Sequence, residues 1–170
     1  MSRGFVREGD QEESVVIPQR AFLPDTVTNY VTPQGMQELQ DELHVLEADF
    51  TDIAVEVETE KRRTQTLIQG KINLLKERIT SARPIKISGQ PQDEIRFGAT
   101  VTLKNMNLKL KQILTITGVD EANVSKGKIS FTTPIAQALM GAKVGETVNF
   151  KLGAEERPLF ILSIDYLQAV

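Results

Sequence analysis

The fold is decided by residues 33–60, which read PQGMQELQDELHVLEADFTDIAVEVETE. Apolar side chains recur here at alternating spacings of three and four residues, namely Met36, Leu39, Leu43, Leu46, Phe50, Ile53 and Val57. This heptad pattern places them on one stripe of an α-helix that faces a partner helix. Thr32 is suited to the N-cap of that helix, and Pro33 to its first position.

The next stretch supplies the partner helix. Its apolar stripe has the same spacing and consists of Ile68, Ile72, Leu75, Ile79 and Ala82. Pro84 ends it, because proline lacks the N–H that a helix interior needs and restricts the residue before it. Residues 34–60 carry nine acids and no Lys or Arg, whereas residues 61–86 carry eight bases and one acid. Adjacent blocks of opposite charge favour folding back on one another.

These two stripes predict an antiparallel coiled-coil hairpin over residues 31–87. A constant register pairs Met36 with Ala82, Leu43 with Leu75 and Phe50 with Ile68. The turn is then expected near residue 59, with Thr59 as the cap of the second helix. His44, the single histidine, falls beside the stripe and is expected on the surface.

The remaining chain predicts a second domain over residues 88–170. After a turn-rich linker at 88–93, the apolar period changes to two, which is typical of strands. Strands are expected at 95–103, 110–117, 128–131, 148–152 and 160–166, with a short helix at 135–140. The fold class is therefore α+β, with a small antiparallel sheet. Residues 1–30 contain Pro18 and Pro24 without periodicity and predict an extended or disordered N-terminal arm.

Composition excludes several classes of function. The 170 residues include no Cys and one His, which excludes disulfides, thiol nucleophiles, Cys-based zinc sites and multi-histidine metal sites. No apolar run is long enough for a membrane span, and the first 30 residues do not resemble a secretory signal. We therefore expect a cytoplasmic protein. A net charge of −3 argues against general nucleic-acid binding.

One cluster of residues has chemical interest. Glu56, Glu58 and Glu60 lie at the predicted tip of the hairpin, and Asp52 lies one turn before them. Carboxylates at the end of a projection can hold a hard cation such as Mg²⁺ through their oxygens. They can equally be solubilising charge, and the residues alone leave both interpretations open.

Three passages give the chain a family resemblance. They are Tyr30-Val31-Thr32-Pro33-Gln34-Gly35, Phe97-Gly98-Ala99-Thr100-Val101, and Ile129-Ser130-Phe131-Thr132-Thr133-Pro134-Ile135-Ala136-Gln137-Ala138-Leu139-Met140-Gly141 followed by Val144-Gly145-Glu146. The third is close to the Ser-Pro-Ile-Ala-x-x-Leu-x-Gly signature of the Gre-type bacterial transcription elongation factors. The chain resembles this family over about residues 30–168.

The resemblance implies both a fold and a partner. It implies a coiled-coil hairpin followed by an FKBP-like C-terminal domain that docks on RNA polymerase at its secondary channel. The hairpin then enters the channel, in indirect contact with nascent RNA and DNA, where tip acids share the Mg²⁺ of the polymerase and stimulate cleavage of backtracked RNA. The factor is then expected to be no enzyme and to have no metal of its own. An intramolecular hairpin also predicts a monomer. The implied docking residues are Asp120, Thr133 and Pro134.

The chain also departs from the family pattern. The tip motif Gly-Asp-Leu-x-Glu-Asn is absent, and each helix is shorter by about one heptad, or roughly 10 Å of reach. Cleavage stimulation and regulation without cleavage, in competition with cleavage factors for the channel, therefore both stay open. Two further alternatives are an FKBP-type peptidyl-prolyl isomerase, because the implied C-terminal domain is FKBP-like, and a coiled-coil adaptor. The first rests on fold alone, and fold alone does not determine function.

Overall fold

The first helix of the structure begins as the sequence predicts. In the computed structural model, which describes residues 14–166, helix α1 spans Pro33–Thr51. The Thr32 hydroxyl accepts a hydrogen bond from the backbone N–H of Gly35 at 2.9 Å. Pro33 occupies the first position, where a missing N–H costs nothing because no helical carbonyl is available to it.

The second helix, α2, spans Glu58–Ser81, and residues 52–57 join it to α1. We call residues 52–57 the tip segment. The prediction that the first helix continues to Val57 is wrong, and so is the prediction that Thr59 caps the second. Val57 takes the N-cap position without a side-chain hydrogen bond, and Thr59 lies inside the first turn.

The composition of the tip segment explains why α1 ends early. Ile53, Val55 and Val57 are β-branched, and such side chains lose rotamer freedom in a helix. Asp49 and Asp52 add negative charge at the C-terminal end of α1, which is itself the negative end of the helix dipole. Both effects oppose another helical turn.

The two helices pack against each other as an antiparallel pair, which we call the helix pair. Leu39, Leu75 and Ala82 are buried in one cluster, against which Met36, Leu43, Leu46 and Ile79 pack. Between the two helices, Glu47 Oε1 of α1 lies 2.9 Å from Lys76 Nζ of α2. His44 is exposed, as expected.

The C-terminal part is a five-stranded sheet with one helix, α3, and we call it the sheet body. Its elements are β3 (Ala99–Asn105), β4 (Leu110–Thr117), β5 (Lys128–Ser130), α3 (Pro134–Leu139), β6 (Thr147–Leu152) and β7 (Glu155–Tyr166), after the two short strands β1 (Tyr30–Val31) and β2 (Arg83–Pro84). The strand order is β5-β4-β3-β7-β6. Predicted and observed bounds agree for β4 and differ by a few residues for most of the others.

The prediction of a purely antiparallel sheet is wrong at one edge. Strand β5 runs parallel to β4, with Thr115 opposite Lys128 and Thr117 opposite Ser130. The reason is the ten-residue connection 118–127, which contains a short 3₁₀ helix and brings the chain back along β4 to a point beside Thr115. Parallel neighbours require such a crossover, whereas a tight hairpin joins only antiparallel strands.

One apolar core holds the sheet body together. Its buried members come from the sheet, from α3, from the segment before β3 and from the connection between β5 and α3: Ile95, Ala99, Val101, Leu103, Leu114, Ile116, Phe131, Ala136, Leu139, Phe150, Leu159, Ile161 and Ile164. The Tyr166 hydroxyl donates to Glu94 O and accepts from Arg96 N, and burial raises the pKa of this phenol. The end of β7 is thereby fixed to the chain that leads into β3.

The helix pair contacts the sheet body at the end where α1 begins and α2 ends, which we call the base of the helix pair. Strands β1 and β2, which flank the helix pair in sequence, form a parallel two-residue ladder. The Tyr30 ring packs against Phe97 and Phe131 of the sheet body at centroid distances of 6.1 and 5.7 Å. These contacts hold the base of the helix pair against the sheet.

The described part of the predicted arm, residues 14–29, forms neither helix nor strand and precedes β1. Residues 1–13 of that prediction lie outside the described residues. Among residues 14–166, no helix combines the length and the hydropathy that crossing a membrane requires.

Candidate functional site

The four acidic residues expected at the tip lie at the end of the helix pair opposite β1 and β2. Asp52 is the C-cap residue of α1, and its backbone N–H donates to Ala48 O. Glu56 lies in the tip segment, and Glu58 and Glu60 lie in the first turn of α2. All four are exposed. Acids in the first turn of α2 are favourable, because the N-terminal end of a helix is its positive end.

These carboxylates do not form a cation site by themselves. Glu58 Oε1 pairs with Arg62 Nε at 3.3 Å, and both side chains are about two-thirds exposed, so the pair is weak. Across residues 14–166, no three His, Cys, Asp or Glu side chains lie close enough together to hold a metal ion. Mg²⁺ demands a near-octahedral set of oxygens. A cation held at this tip therefore needs ligands from another molecule.

Asp120, a predicted docking residue, lies in the loop after β4 and is engaged within the protein. Its side chain is 7% exposed, and its Oδ1 accepts a hydrogen bond from Arg20 Nε at 3.0 Å. Arg78 Nε lies 3.3 Å from Oδ2, which is an ion pair without the alignment of a hydrogen bond. Asp120 thus joins the sheet body to the arm through Arg20 and to α2 through Arg78.

Arg20 extends this network to α1. Its two terminal nitrogens donate to the two carboxylate oxygens of Glu42 at 2.8 and 3.0 Å. The hydrogen bonds that Arg20 donates to Glu42, with the attraction of the Asp120 and Glu42 charges, raise the pKa of Arg20 further above its usual value despite burial. One guanidinium therefore links three separate parts of the fold.

Glu121, next to Asp120, caps the start of α1 from outside the helix. It is 8% exposed, and it accepts hydrogen bonds from Thr32 N at 3.2 Å, from the Thr32 hydroxyl and from Gly118 N at 3.3 Å. The first turn of α1 has no acid of its own. The Glu121 carboxylate lies near this positive end of the helix dipole and interacts with it favourably.

Two glycines make room for this carboxylate. A Cβ on Gly35 would lie 2.2 Å from Glu121 Cδ, and a Cβ on Gly118 would lie 2.7 Å from the carbonyl oxygen of Tyr30. Real Cβ atoms do not approach other atoms so closely. The close approach of α1 to the loop after β4 therefore depends on both glycines.

Thr133 and Pro134, the other predicted docking residues, begin α3. The Thr133 hydroxyl donates to Ser130 O at 2.7 Å and accepts from Ala136 N at 3.4 Å, and Pro134 is exposed at the first helical position. Thr117 and Ser130 are opposite each other in the parallel pair β4 and β5. Asp120 lies three residues after Thr117, and Thr133 lies three residues after Ser130. Both therefore follow the same end of the two neighbouring strands at this edge of the sheet.

Removing the Thr133 hydroxyl is expected to weaken the fold moderately. Thr133→Ala loses the cap of α3, and we expect the free energy of unfolding to fall by about 1 kcal/mol. Thr133→Ser keeps the hydroxyl and should remain close to the original protein. Urea unfolding followed by circular dichroism measures both variants, and equal stabilities would show that the cap contributes nothing.

Comparison with known proteins decides the family. Residues 90–166 match the family profile described as "Transcription elongation factor, GreA/GreB, C-term". The chain is 30% identical over 152 residues to transcription elongation factor GreA of Brucella canis, a match that covers 81% of this chain and 97% of that protein. The chain belongs to the GreA/GreB family of transcription elongation factors. It is also 36% identical over 110 residues to GreA of Neorickettsia sennetsu, covering 65% of this chain and 69% of that one.

Solved structures of GreA/GreB proteins are also similar to the chain. GreA factor homolog 1 of Thermus thermophilus is 19% identical with a TM-score of 0.39, covering 82% of this chain and 99% of that one. A GreA/GreB elongation factor from Nitrosomonas europaea is 16% identical with a TM-score of 0.41, at the same coverage.

Sequence reasoning on this GreA/GreB chain missed three residues of the site. Arg20 lies in a segment without periodicity, and Arg78 was one base among eight in a charged block. Glu121 stands beside Asp120 with no local pattern to mark it. The one signal near Arg20 was the pair of prolines, Pro18 and Pro24, that flank it. Proline favours an extended chain, and such a segment is held in place by contacts with another surface.

Proposed function

We propose that this GreA/GreB family member binds bacterial RNA polymerase at its secondary channel and regulates elongation from there. The sheet body docks at the rim of the channel, and the helix pair enters toward the active site. The observation that carries the proposal is the separation of two features. The loop with Asp120 and the start of α3 share one sheet edge beside the base of the helix pair, whereas the exposed acids lie at its opposite end.

The dimensions of the helix pair fit this role. Helix α1 has 19 residues, which corresponds to about 28 Å at 1.5 Å per residue. A pair only two helices wide is narrow enough for a channel that excludes a globular domain. The protein would act on the polymerase's own chemistry, because metal-assisted cleavage of RNA needs the ions that the polymerase holds.

Regulation without cleavage is the form of this function that the tip supports best. Its four carboxylates are distributed over the end of α1, the tip segment and the first turn of α2, and Glu58 is paired with Arg62. A metal ligand displaced by about an ångström loses much of its catalytic effect. Cleavage stimulation is the second candidate, supported by the exposure of the same four carboxylates.

A backtracked polymerase complex with labelled RNA tests both candidates. We expect the protein to bind the complex and to leave the RNA at the length that the polymerase alone produces. Rapid Mg²⁺-dependent shortening of the RNA would establish cleavage stimulation instead. Absence of binding to the polymerase would overturn the proposed function as a whole.

A tip variant separates the two ends of the molecule. We expect simultaneous replacement of Asp52, Glu56, Glu58 and Glu60 by their amides to change the dissociation constant for polymerase by no more than about twofold, because exposed charges contribute little. Any cleavage activity should disappear with them. The matched control replaces Glu38 and Asp41, which are exposed acids near the base of α1. Cleavage that persists in the tip variant would show that these acids are only solubilising charge.

The isomerase alternative receives no support from the sheet body. Phe131 and Phe150 are buried in its core, and Tyr30 packs on Phe97 and Phe131. A proline-isomerisation assay on a model peptide remains the direct test of this alternative.

A further inference from the structure

The arm, residues 14–29, is seated along the helix pair by specific contacts. Ile17 packs on Gly70 of α2, where a Cβ would lie 2.1 Å from Ile17 Cδ1. Arg78 donates a hydrogen bond to Ala21 O. At the end of the arm, Asn29 Nδ2 donates to Arg78 O at 3.0 Å. The arm, which forms neither helix nor strand, is therefore held by the Gly70 surface, the Arg78 side chain and the Arg78 carbonyl of α2.

Arg20 is the member of the arm that reaches the sheet body. It contacts Asp120 at 3.0 Å and holds both oxygens of Glu42 on α1. With the arm in place, 7% of the Asp120 side chain is exposed. A partner that recognises Asp120 must therefore displace Arg20 before it can form its own contact.

We propose that the arm is a built-in competitor for the docking surface, with Arg20 occupying the carboxylate that the polymerase needs. This inference rests on the proposed function and adds a regulatory step to it. The protein exchanges between a closed form, in which Arg20 holds Asp120, and an open form, in which the carboxylate is available. Polymerase binds the open form, so the apparent affinity falls in proportion to the open fraction.

The contacts of Asp120 also predict which charge the partner must place beside it. Displacing Arg20 leaves Asp120 with Arg78 alone, whose contact to Oδ2 lacks hydrogen-bond alignment. A buried carboxylate is costly unless it is paired and hydrogen-bonded. The polymerase surface that faces Asp120 is therefore expected to supply a cationic side chain that replaces the Arg20 guanidinium.

Two substitutions open the arm by independent routes. Arg20→Gln removes the charge that competes for Asp120 and keeps a side chain of similar length. Gly70→Gln fills the seat of Ile17 without touching Arg20 or Asp120, and it strengthens α2, because glutamine is a better helix former than glycine. Gln19→Ala is the matched control, since Gln19 is exposed in the same arm.

The test measures the dissociation constant of each full-length protein for RNA polymerase. We expect Arg20→Gln and Gly70→Gln each to bind about fivefold more tightly than the original protein, because each releases the arm and raises the open fraction, and the apparent affinity rises with that fraction. Gln19→Ala should be unchanged. Asp120→Asn should bind more weakly, and adding it to either arm variant should cancel the gain.

A label on the arm gives a second readout. The chain has no cysteine, so Ala21→Cys creates a single attachment point for a fluorophore at an exposed position. We expect polymerase to shift the label's anisotropy toward that of a mobile segment, relative to the same label at Ser88→Cys in the 88–93 linker.

Each outcome decides the proposal. If the original protein binds polymerase and both arm variants bind with equal or lower affinity, the arm is a structural clamp and the inference is wrong, while the proposed function stands. If no form of the protein binds polymerase, the proposed function fails and the inference fails with it. Tighter binding that survives Asp120→Asn would show that the arm covers some other surface, which also contradicts the proposal.

Discussion

Leu75→Asp is expected to separate α1 from α2 and to remove most of the stability of the helix pair. Leu75 is fully buried in the cluster that joins the two helices. The change removes a large apolar side chain and places a carboxylate without a partner in its position. We expect a loss of at least about 4 kcal/mol in the free energy of unfolding, because cavity formation and burial of charge both contribute.

The control for this prediction is Asn73→Asp, two residues earlier on the same helix. Asn73 is exposed, so the same carboxylate then points to solvent and should cost little. Thermal unfolding followed by circular dichroism at 222 nm compares the variants. Equal melting of Leu75→Asp and Asn73→Asp would contradict the packing of the helix pair.

The mass in solution tests whether the helix pair forms within one chain. Sedimentation of the original protein at 18.9 kDa would agree with an intramolecular pair, and twice that mass with an adaptor of two chains.

Glu121→Ala is the second change with a large expected effect. It leaves the backbone N–H of Thr32, the Thr32 hydroxyl and the N–H of Gly118 without their shared acceptor. A buried donor without a partner costs about 1–3 kcal/mol, so we expect a total loss of about 3 kcal/mol in the free energy of unfolding. Urea unfolding provides the measurement.

Two further variants make the interpretation specific. Glu156→Ala removes an exposed carboxylate from β7 and should change stability by less than about 0.5 kcal/mol. Glu121→Gln keeps the side chain length and one acceptor oxygen, and we expect an intermediate loss. If Glu121→Ala behaves like Glu156→Ala, the carboxylate does not hold α1 against the sheet body.

Local sequence patterns predicted those helix and strand bounds that interactions within a few residues determine. Thr32 and Pro33 mark the start of α1 because a cap and a preset backbone angle act within one turn. The strand expected at 110–117, after the predicted hairpin tip at Asn105-Met106-Asn107, has the observed bounds of β4, and its second half is buried against the core. Thr133 and Pro134 similarly marked the start of α3.

Contacts between distant parts of the chain were not predictable in this way. Arg20 meets Asp120 across one hundred positions of sequence, and no periodicity records such a pairing. The parallel direction of β5 depends on how the connection 118–127 folds, which alternation does not reveal. The prediction of where α1 ends failed for a third reason. The heptad spacing continues through Ile53 and Val57, but β-branched side chains and negative charge oppose a helix there.

The tip segment also has a practical consequence. Neither apolar core takes a side chain from residues 52–57. Loops of other chemistry, transplanted between α1 and α2, should therefore leave both cores and the loop after β4 as they are. A graded series of such chimeras would let an investigator vary the charge, size and shape of the tip while the sheet body stays constant.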